Sequence, residues 1–309
     1  MASDPLSDTL GLMDARCVIS GGFTAGGDWA LSFPRPDRLK ITAVVRGGMW
    51  VAVEGEPEAV RMDPGDVAVF DGSRAFVVAS DPALKPVDAS RLFADAPGPM
   101  VHFGAGEEVV SIGGHVELGR AGEELLLQAL PPLMHVRAAA AEAPVLRWLL
   151  DQLLRELTAG RPGADFAADQ LAQLMFVQVL RAYLADADAL PAGRLRALAD
   201  ERIAPALRLM HADPGRPWQL EELARAAAMS RTTFAQRFRA VAGVPPLTYL
   251  LDWRMSLARR ALRDGETSVA ALAQKVGYTS ESAFSNAFKR TTGLAPRRYR
   301  DVARTALTS

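Results

Sequence analysis

Cysteine is almost missing from this chain: one residue in 309, Cys17, carries a thiol. A single thiol excludes an internal disulfide framework and fits a reducing compartment. Two readings of it stand side by side, a small buried hydrophobe or a redox or intersubunit thiol, and Arg16 is the only activating neighbour that the sequence offers the second. Also missing is any run of about 18 uncharged apolar residues, the length a membrane-spanning helix requires. The opening stretch MASDPLSDTLGLMDAR is acidic and has neither the basic start nor the apolar middle of a signal peptide, so the expected location is cytoplasmic. Charge of either sign is nearly cancelled, with a net of −1. That balance is deceptive.

From Leu195 to Ser309 there are 19 Lys and Arg against 10 Asp and Glu, a net of +9, whereas residues 1–194 carry −10. The back of the chain suits a polyanion and the front does not. The length allows two domains with full cores, and the apolar fraction of 49% is ordinary for a globular protein.

Between Ala30 and Val78 the stretches ITAVV, MWVAVEG, EAVRM, DVAVFDG and AFVVAS are rich in Val and aromatics and are punctuated by Gly47-Gly48, Pro57, Pro64-Gly65 and Gly72. Short, regularly spaced strands of this kind predict a sandwich or jelly roll. VVSIGGHVELG, Val109–Gly119, reads as one more strand pair around its double glycine. Such a barrel can enclose a small molecule, and Trp29, Phe33, Trp50, Phe70 and Phe76 are the side chains expected to line its cavity or to fill its core. The order of turns around GEPEAVRMDPGDVAVFDGSRAF resembles the cupin barrels found in front of many bacterial regulators. Where that family carries its motif Pro, Gly and His, and an earlier His, this chain has Asp71, Ser73, Phe76 and Thr42. A metal centre needs several imidazole and carboxylate ligands converging on one ion, so neither a metal nor another cofactor is expected. His102, His115 and His135 are scattered singly and read as structural residues.

Two apolar-striped helices follow, from Pro144 to about Ala159 and from Asp165 to about Ala185, fit either to cover the barrel or to pair with a second subunit. In the resembling regulators, such helices often carry dimerisation. The segment Ala185–Asp200 is rich in small and acidic residues and reads as a linker. Three parts are therefore expected: a sensing domain over 1–140, a helical packing segment over 141–194 and a basic domain over 195–309.

The basic domain says one sentence twice. Leu223-Ala224, Phe234, Phe238, Gly243, Pro246 and Tyr249 return as Leu272-Ala273, Phe284, Phe288, Gly293, Pro296 and Tyr299, 49 residues on before the turn and 50 after it. Ser230 returns as Ser280. Each copy reads as helix, turn, helix, with Thr267 the expected cap of the second copy's first helix and Gly277 its stop. A helix over Trp253–Glu266 joins them, with Arg254, Arg259, Arg260 and Arg263 adding charge, and His211 is expected to be structural. Turning by about 100° per residue from the buried phenylalanines, the outward faces are Thr232, Ala235, Gln236 and Arg239 in one copy and Ser282, Ser285, Asn286 and Lys289 in the other, with Arg231 near a helix start. Gln reads adenine, Arg reads guanine or holds phosphate, and an Ala or Thr methyl meets thymine.

This doubled arrangement over 202–300 resembles the AraC/XylS family of transcription regulators. One departure is Gln219, where the family commonly offers a Thr cap, and a slightly weaker helix start is expected there. The overall class is α+β: a cupin-like barrel with flanking helices before an all-α double helix-turn-helix domain. The resemblance implies a non-enzymatic regulator that binds double-stranded promoter DNA, senses a small-molecule effector, works with RNA polymerase and forms a homodimer. The first reading helix, with Gln236 and Arg239, is expected to carry more of the base discrimination than the second. Two other classes compete with this reading, a thiol-responsive regulator using Cys17 and a cupin enzyme fused to a DNA-binding module.

Overall fold

A computed structural model describes residues 4–94, 96, 98–119, 122, 130–138, 143–185, 190–265 and 267–307. The chain divides into two compact units, one built from Ala15–Leu118 and Leu126–Asp186 and the other from Met1–Asp14, Gly119–Leu125 and Ala187–Ser309.

The first unit is a two-sheet jelly roll. Its strands are β1 (Arg16–Gly26), β2 (Ala30–Phe33), β3 (Leu39–Arg46), β4 (Met49–Val53), β5 (Val60–Met62), β6 (Val67–Phe70), β7 (Phe76–Ala79), β8 (Val87–Asp88), β9 (Met100–Gly104), β10 (Val109–Glu117) and β11 (Leu133–Val136). One sheet runs β11-β6-β3-β10-β1-β9 and the other β5-β4-β7-β2-β8. Their inner faces enclose a core that includes Phe23, Trp29, Leu31, Val44, Val51, Phe70, Phe76 and Val78. A short helix, Ala89–Ala94, follows β8 and packs on β2.

Two differences from the sequence expectation stand out. The barrel begins at Arg16, not near Ala30, because β1 is a long strand whose glycines and serine disguise it. Val109–Glu117 is one continuous strand, not a pair. Its Gly113-Gly114 makes no turn: a Cβ on Gly114 would press into the carbonyl of Val18 across the ladder, so glycine there permits close pairing with β1.

Helices Ala143–Ala159 and Ala164–Ala185 pack on each other, the first against β3 and the second against β1 and β11. Leu146, Leu149, Leu150 and Leu153 are buried in this way, and β6 is buried at all four positions. The helices therefore do cover the barrel, and Trp148 and Phe166 remain outward at 55% and 73% exposure. Cys17 lies where the second of them packs, its backbone N–H donating to the Gln173 side chain.

Among its described residues the second unit has helices and no strands. In chain order we label its helices α1 (Pro5–Met13), then, after α2 (Ala89–Ala94), α3 (Ala143–Ala159) and α4 (Ala164–Ala185) of the barrel unit, α5 (Arg194–Ala199), α6 (Ala204–Ala212), α7 (Leu220–Ala226), α8 (Arg231–Ala242), α9 (Pro246–Asp264), α10 (Val269–Lys275), α11 (Glu281–Thr292) and α12 (Pro296–Leu307). The region expected to be linker contains α5, which packs on α6 and α8. α1 is capped by Asp4, which accepts from the N–H groups of Leu6 and Ser7, and it packs against α6 and α9. Arg260 of α9 donates to the carbonyl of Gly11, and Arg260 and Arg263 approach Asp14.

α9 starts at Pro246, seven residues earlier than expected. Its Tyr249 and Leu250 belong to a core with Phe234 and Phe238, and its Met255, Ala258 and Leu262 to a second core with Phe284 and Phe288. Beside it His211 is buried, stacks on Trp253 at 3.8 Å and meets the Tyr249 hydroxyl at 2.9 Å.

The two turns solve one problem with different residues. Ala228, between α7 and α8, takes φ 52°, and Gly277, between α10 and α11, takes φ 83°. A left-handed alanine costs about 1–2 kcal/mol, offset in part by the greater freedom that glycine has in the unfolded chain. Ala228→Gly is thus expected to stabilise the protein by up to about 1 kcal/mol in chemical denaturation. Gly277→Ala should destabilise it by more than that, because its new Cβ would also meet the carbonyl of Gly215.

Burial first, then the charge of Arg194, lowers the His211 pKa from 6.5 to about 3. The folded state holds this imidazole neutral, so its contribution is complete above about pH 6.5 and is lost as pH falls toward 3. Thermal unfolding is expected to shift downward over that window, with a shallower slope in His211→Asn.

Candidate nucleic-acid interface and inner cavity

Each helix-turn-helix is set by local chemistry. Ser230 caps α8 by accepting from the N–H of Thr233, and Ser280 caps α11 through the N–H of Ala283. The cap of α10 is Ser268, through the N–H of Ala271, in place of the expected Thr267. At Gln219 the start of α7 is held from the other side: Glu222 accepts the Gln219 N–H at 3.0 Å and also takes Arg216 at 2.6 Å. That backbone bond first, and then Arg216, holds the Glu222 carboxyl below its usual range. The expected weakness at this helix start is compensated there.

Both second helices are 12 residues long and end on a left-handed glycine, Gly243 at φ 75° and Gly293 at φ 76°. Inside, Phe238 meets Tyr249 edge-on at 5.5 Å and Phe288 meets Tyr299 edge-on at 5.3 Å. Arg237 is drawn to the opposite side of α8, where its guanidinium binds buried Asp200 at 2.6 Å. With these groups turned inward, Arg231, Thr232, Gln236 and Arg239 are exposed on α8 and Ala235 is half-buried; on α11 Ser282, Asn286 and Lys289 are exposed and Ser285 is half-buried. The structure brings each set onto one helix face.

The charge on these faces is not uniform. Arg231 pairs with Glu221 at 2.9 Å, an exposed pair worth at most about 1 kcal/mol and easily exchanged for a phosphate. Arg239, Lys289 and Arg290 pair with no carboxylate among the described residues, and Arg290 was not legible as a site residue from the outward-face reading. Arg254, Arg260 and Arg263 of α9 have partners within their own unit. Arg254 donates to the carbonyls of Pro214 and Arg216, Arg260 and Arg263 turn to the α1 region, and Arg259 also has a partner. The bonds donated by Arg254 and Arg260 brace the helix, and each guanidinium keeps its charge.

The barrel unit holds a cavity of about 330 Å³ between its two sheets. Its floor exists because one row across the large sheet is short of side chains: Thr42 on β3 pairs with Gly113 on β10, which pairs with Gly21 on β1. Phe23, Lys40 and Ser111 lie around this floor, Phe33, Phe76 and Val78 close it from the other sheet, and Phe93 of α2 closes the end. Of the aromatics expected to line a cavity, Phe33 and Phe76 do, stacked at 4.8 Å. Phe70 stacks behind Phe76 at 4.0 Å, Trp29 packs edge-on against Phe23 in the core, and Trp50 is half-buried with Arg61 over its ring. These three do not line it. Lys40 and Thr42 alternate on one face of β3, a period-two signal that a reading of ITAVV alone cuts off.

The histidines are held singly. His102 meets Thr24, His115 meets Ser20 and Glu117, and His135 meets buried Asp66. Among the described residues no three His, Cys, Asp or Glu side chains are grouped to hold a metal ion. Burial, and then the charge of Asp169, pushes the Cys17 thiol up to about 12, the opposite of what a reactive thiolate needs. Among the described residues no helix is long and apolar enough to cross a membrane.

Residues 4–185 match a family model described as Cupin, and residues 223–301 match one described as Helix-turn-helix domain. A protein of Streptomyces lividans described as an AraC-like transcription regulator is 42% identical over 297 residues, 96% of this chain and 98% of its own length. The chain belongs to the AraC family of transcription regulators. AlkR, an HTH-type transcriptional regulator of Acinetobacter baylyi, is 29% identical over 89% of this chain and 91% of that protein. The DNA-binding domain of AdpA, solved in complex with a target DNA, is 32% identical over 35% of this chain and 96% of that one, with a TM-score of 0.33. As an AraC-family member the chain is a DNA-binding regulator, and its relatives are regulators of transcription.

Proposed function

We propose that this AraC-family regulator reads promoter DNA through α8 and α11 and is controlled by a small organic effector held in the barrel cavity. The observation that carries the first part is the pair of equal helices, each pinned inward by two phenylalanines and leaving a polar face outward. On α8, Gln236 and Arg239 meet base edges, the Thr232 and Ala235 methyls meet thymine, and Arg231 grips phosphate. On α11, Asn286 reads a base while Ser282, Ser285 and Lys289 orient the helix and hold the backbone. The two helices enter successive major-groove segments about 10 bp apart on one side of the duplex. The first supplies more of the discrimination, since its face holds both Gln and Arg.

The effector acts by population shift: it binds one state of the sensor better than another and so changes the fraction of protein competent for DNA. Phe33 and Phe76 contact it. RNA polymerase is the downstream partner, and the outward Trp148 and Phe166 favour a homodimer through α3 and α4. The high pKa of Cys17 weighs against the thiol-responsive alternative.

Gel-shift titration on the cognate promoter tests the contacts. Gln236→Ala and Asn286→Ala should each cost about 1–3 kcal/mol, and affinity should fall steeply with salt. Unchanged affinity in both variants would refute the assignment. For the sensor, Gly113→Leu offers a direct check. A Cβ at Gly113 finds only ordinary contact, 3.5 Å from the carbonyl of Ile41, so a larger side chain enters the cavity. A promoter reporter should lose its effector response in that variant while circular dichroism shows a folded protein.

A further inference from the structure

Resting on the effector reading above, we infer that the cavity selects an organic monoanion, a carboxylate joined to an apolar body, with Lys40 as its counter-charge. Four observations support this. First, Lys40 lines the cavity and is partly buried, yet it pairs with no carboxylate among the described residues. In the large sheet its neighbours are Phe70 on β6 and His115 on β10, neither of them an anion. The carboxylate of Glu117 is drawn to His115, at 3.4 Å.

Second, the hydroxyls around the cavity are already occupied. Ser111 donates to the carbonyl of Ala43, Thr42 lies 3.2 Å from Ser111 and reaches the carbonyl of Ile112, and Ser20 meets His115. Ser90 is engaged by Asp88. A polyol such as a sugar would need several free donors and acceptors, and this wall offers few. What it offers without a partner is one ammonium.

Third, the remaining wall is hydrocarbon and aromatic: Phe23, Phe33, Phe76, Val78 and Phe93. About 330 Å³ lies near the lower end of small-molecule sites, enough for a single ring or a medium chain. Fourth, one cation with no arginine among the lining residues and no helix N-terminus of useful length matches a monoanion better than a phosphate dianion. The electrostatics agree. Burial, and secondarily Arg38, lowers the Lys40 pKa, so the charged amine is held at a disadvantage that an incoming carboxylate would relieve.

Isothermal titration of the full chain with octanoate, octanamide, phenylacetate and phenylacetamide separates charge from shape. Each acid should bind at least about tenfold more tightly than its amide, as expected of a charge-assisted contact. Lys40→Met should erase that difference and Lys40→Arg should preserve it. Acid and amide binding equally to the wild-type protein overturns the inference even if Lys40→Met fails to fold, and so does the absence of binding by all four compounds. If the amides bind as well as the acids and Gly113→Leu abolishes both, the anion is wrong and the effector reading stands. A promoter response that persists in folded Gly113→Leu removes the effector reading itself.

Discussion

The orientation of the second helix in each helix-turn-helix, α8 and α11, hangs on two phenylalanines four residues apart that dock beside a tyrosine from the helix that follows. Phe234 and Phe238 do this with Tyr249, and Phe284 and Phe288 do it with Tyr299. Four residues advance a helix by slightly more than one turn, so a pair at this spacing fixes which side is inward and, by exclusion, which side faces outward. The serine caps and left-handed glycines then set where each helix begins and ends. Nothing in the outward face needs to contribute to folding, which leaves Gln236, Arg239 and Asn286 available for chemistry.

The barrel follows the opposite logic. Its cavity is defined by what is missing, a row across three strands in which Thr42, Gly113 and Gly21 leave a floor without bulk. Aromatic rings from the second sheet roof this space without filling it. On the sheet's other face α3 packs against β3 and α4 against β1 and β11. A single uncompensated cation then gives an otherwise apolar space a sign.

These two logics explain what is legible in the chain. The helical half can be read in order because its signals are local: Ser230 before a helix, Phe234 and Phe238 at helical spacing, Gly243 after it, and all of it repeated. Its misreadings are small, Ser268 in place of Thr267 as a cap and an early start for α9. The α9 arginines are legible as charge, but a linear reading cannot see that carbonyls of Pro214, Arg216 and Gly11 orient Arg254 and Arg260. In the barrel the informative residues are non-local. Gly113 and Gly114 look like a turn until β1 and β3 are placed beside them, and Trp50 looks like a liner until the alternation of β4 turns it out. Lys40, the group with the most to say about a ligand, stands at the edge of an apolar run and reads as its boundary.

One helix, α9, contributes a wall to both hydrophobic cores of the DNA-binding unit, Tyr249 and Leu250 to the first and Met255, Ala258 and Leu262 to the second. A shared wall cannot flex without loosening both rooms. In the proposed DNA complex α8 and α11 would therefore keep a fixed pitch, like the points of a locked pair of dividers. Distance along the duplex would then become a recognised feature in its own right: two good half-sites set half a helical turn out of step present their edges on opposite sides of the cylinder, and the protein would meet them only if the DNA itself twists or bends.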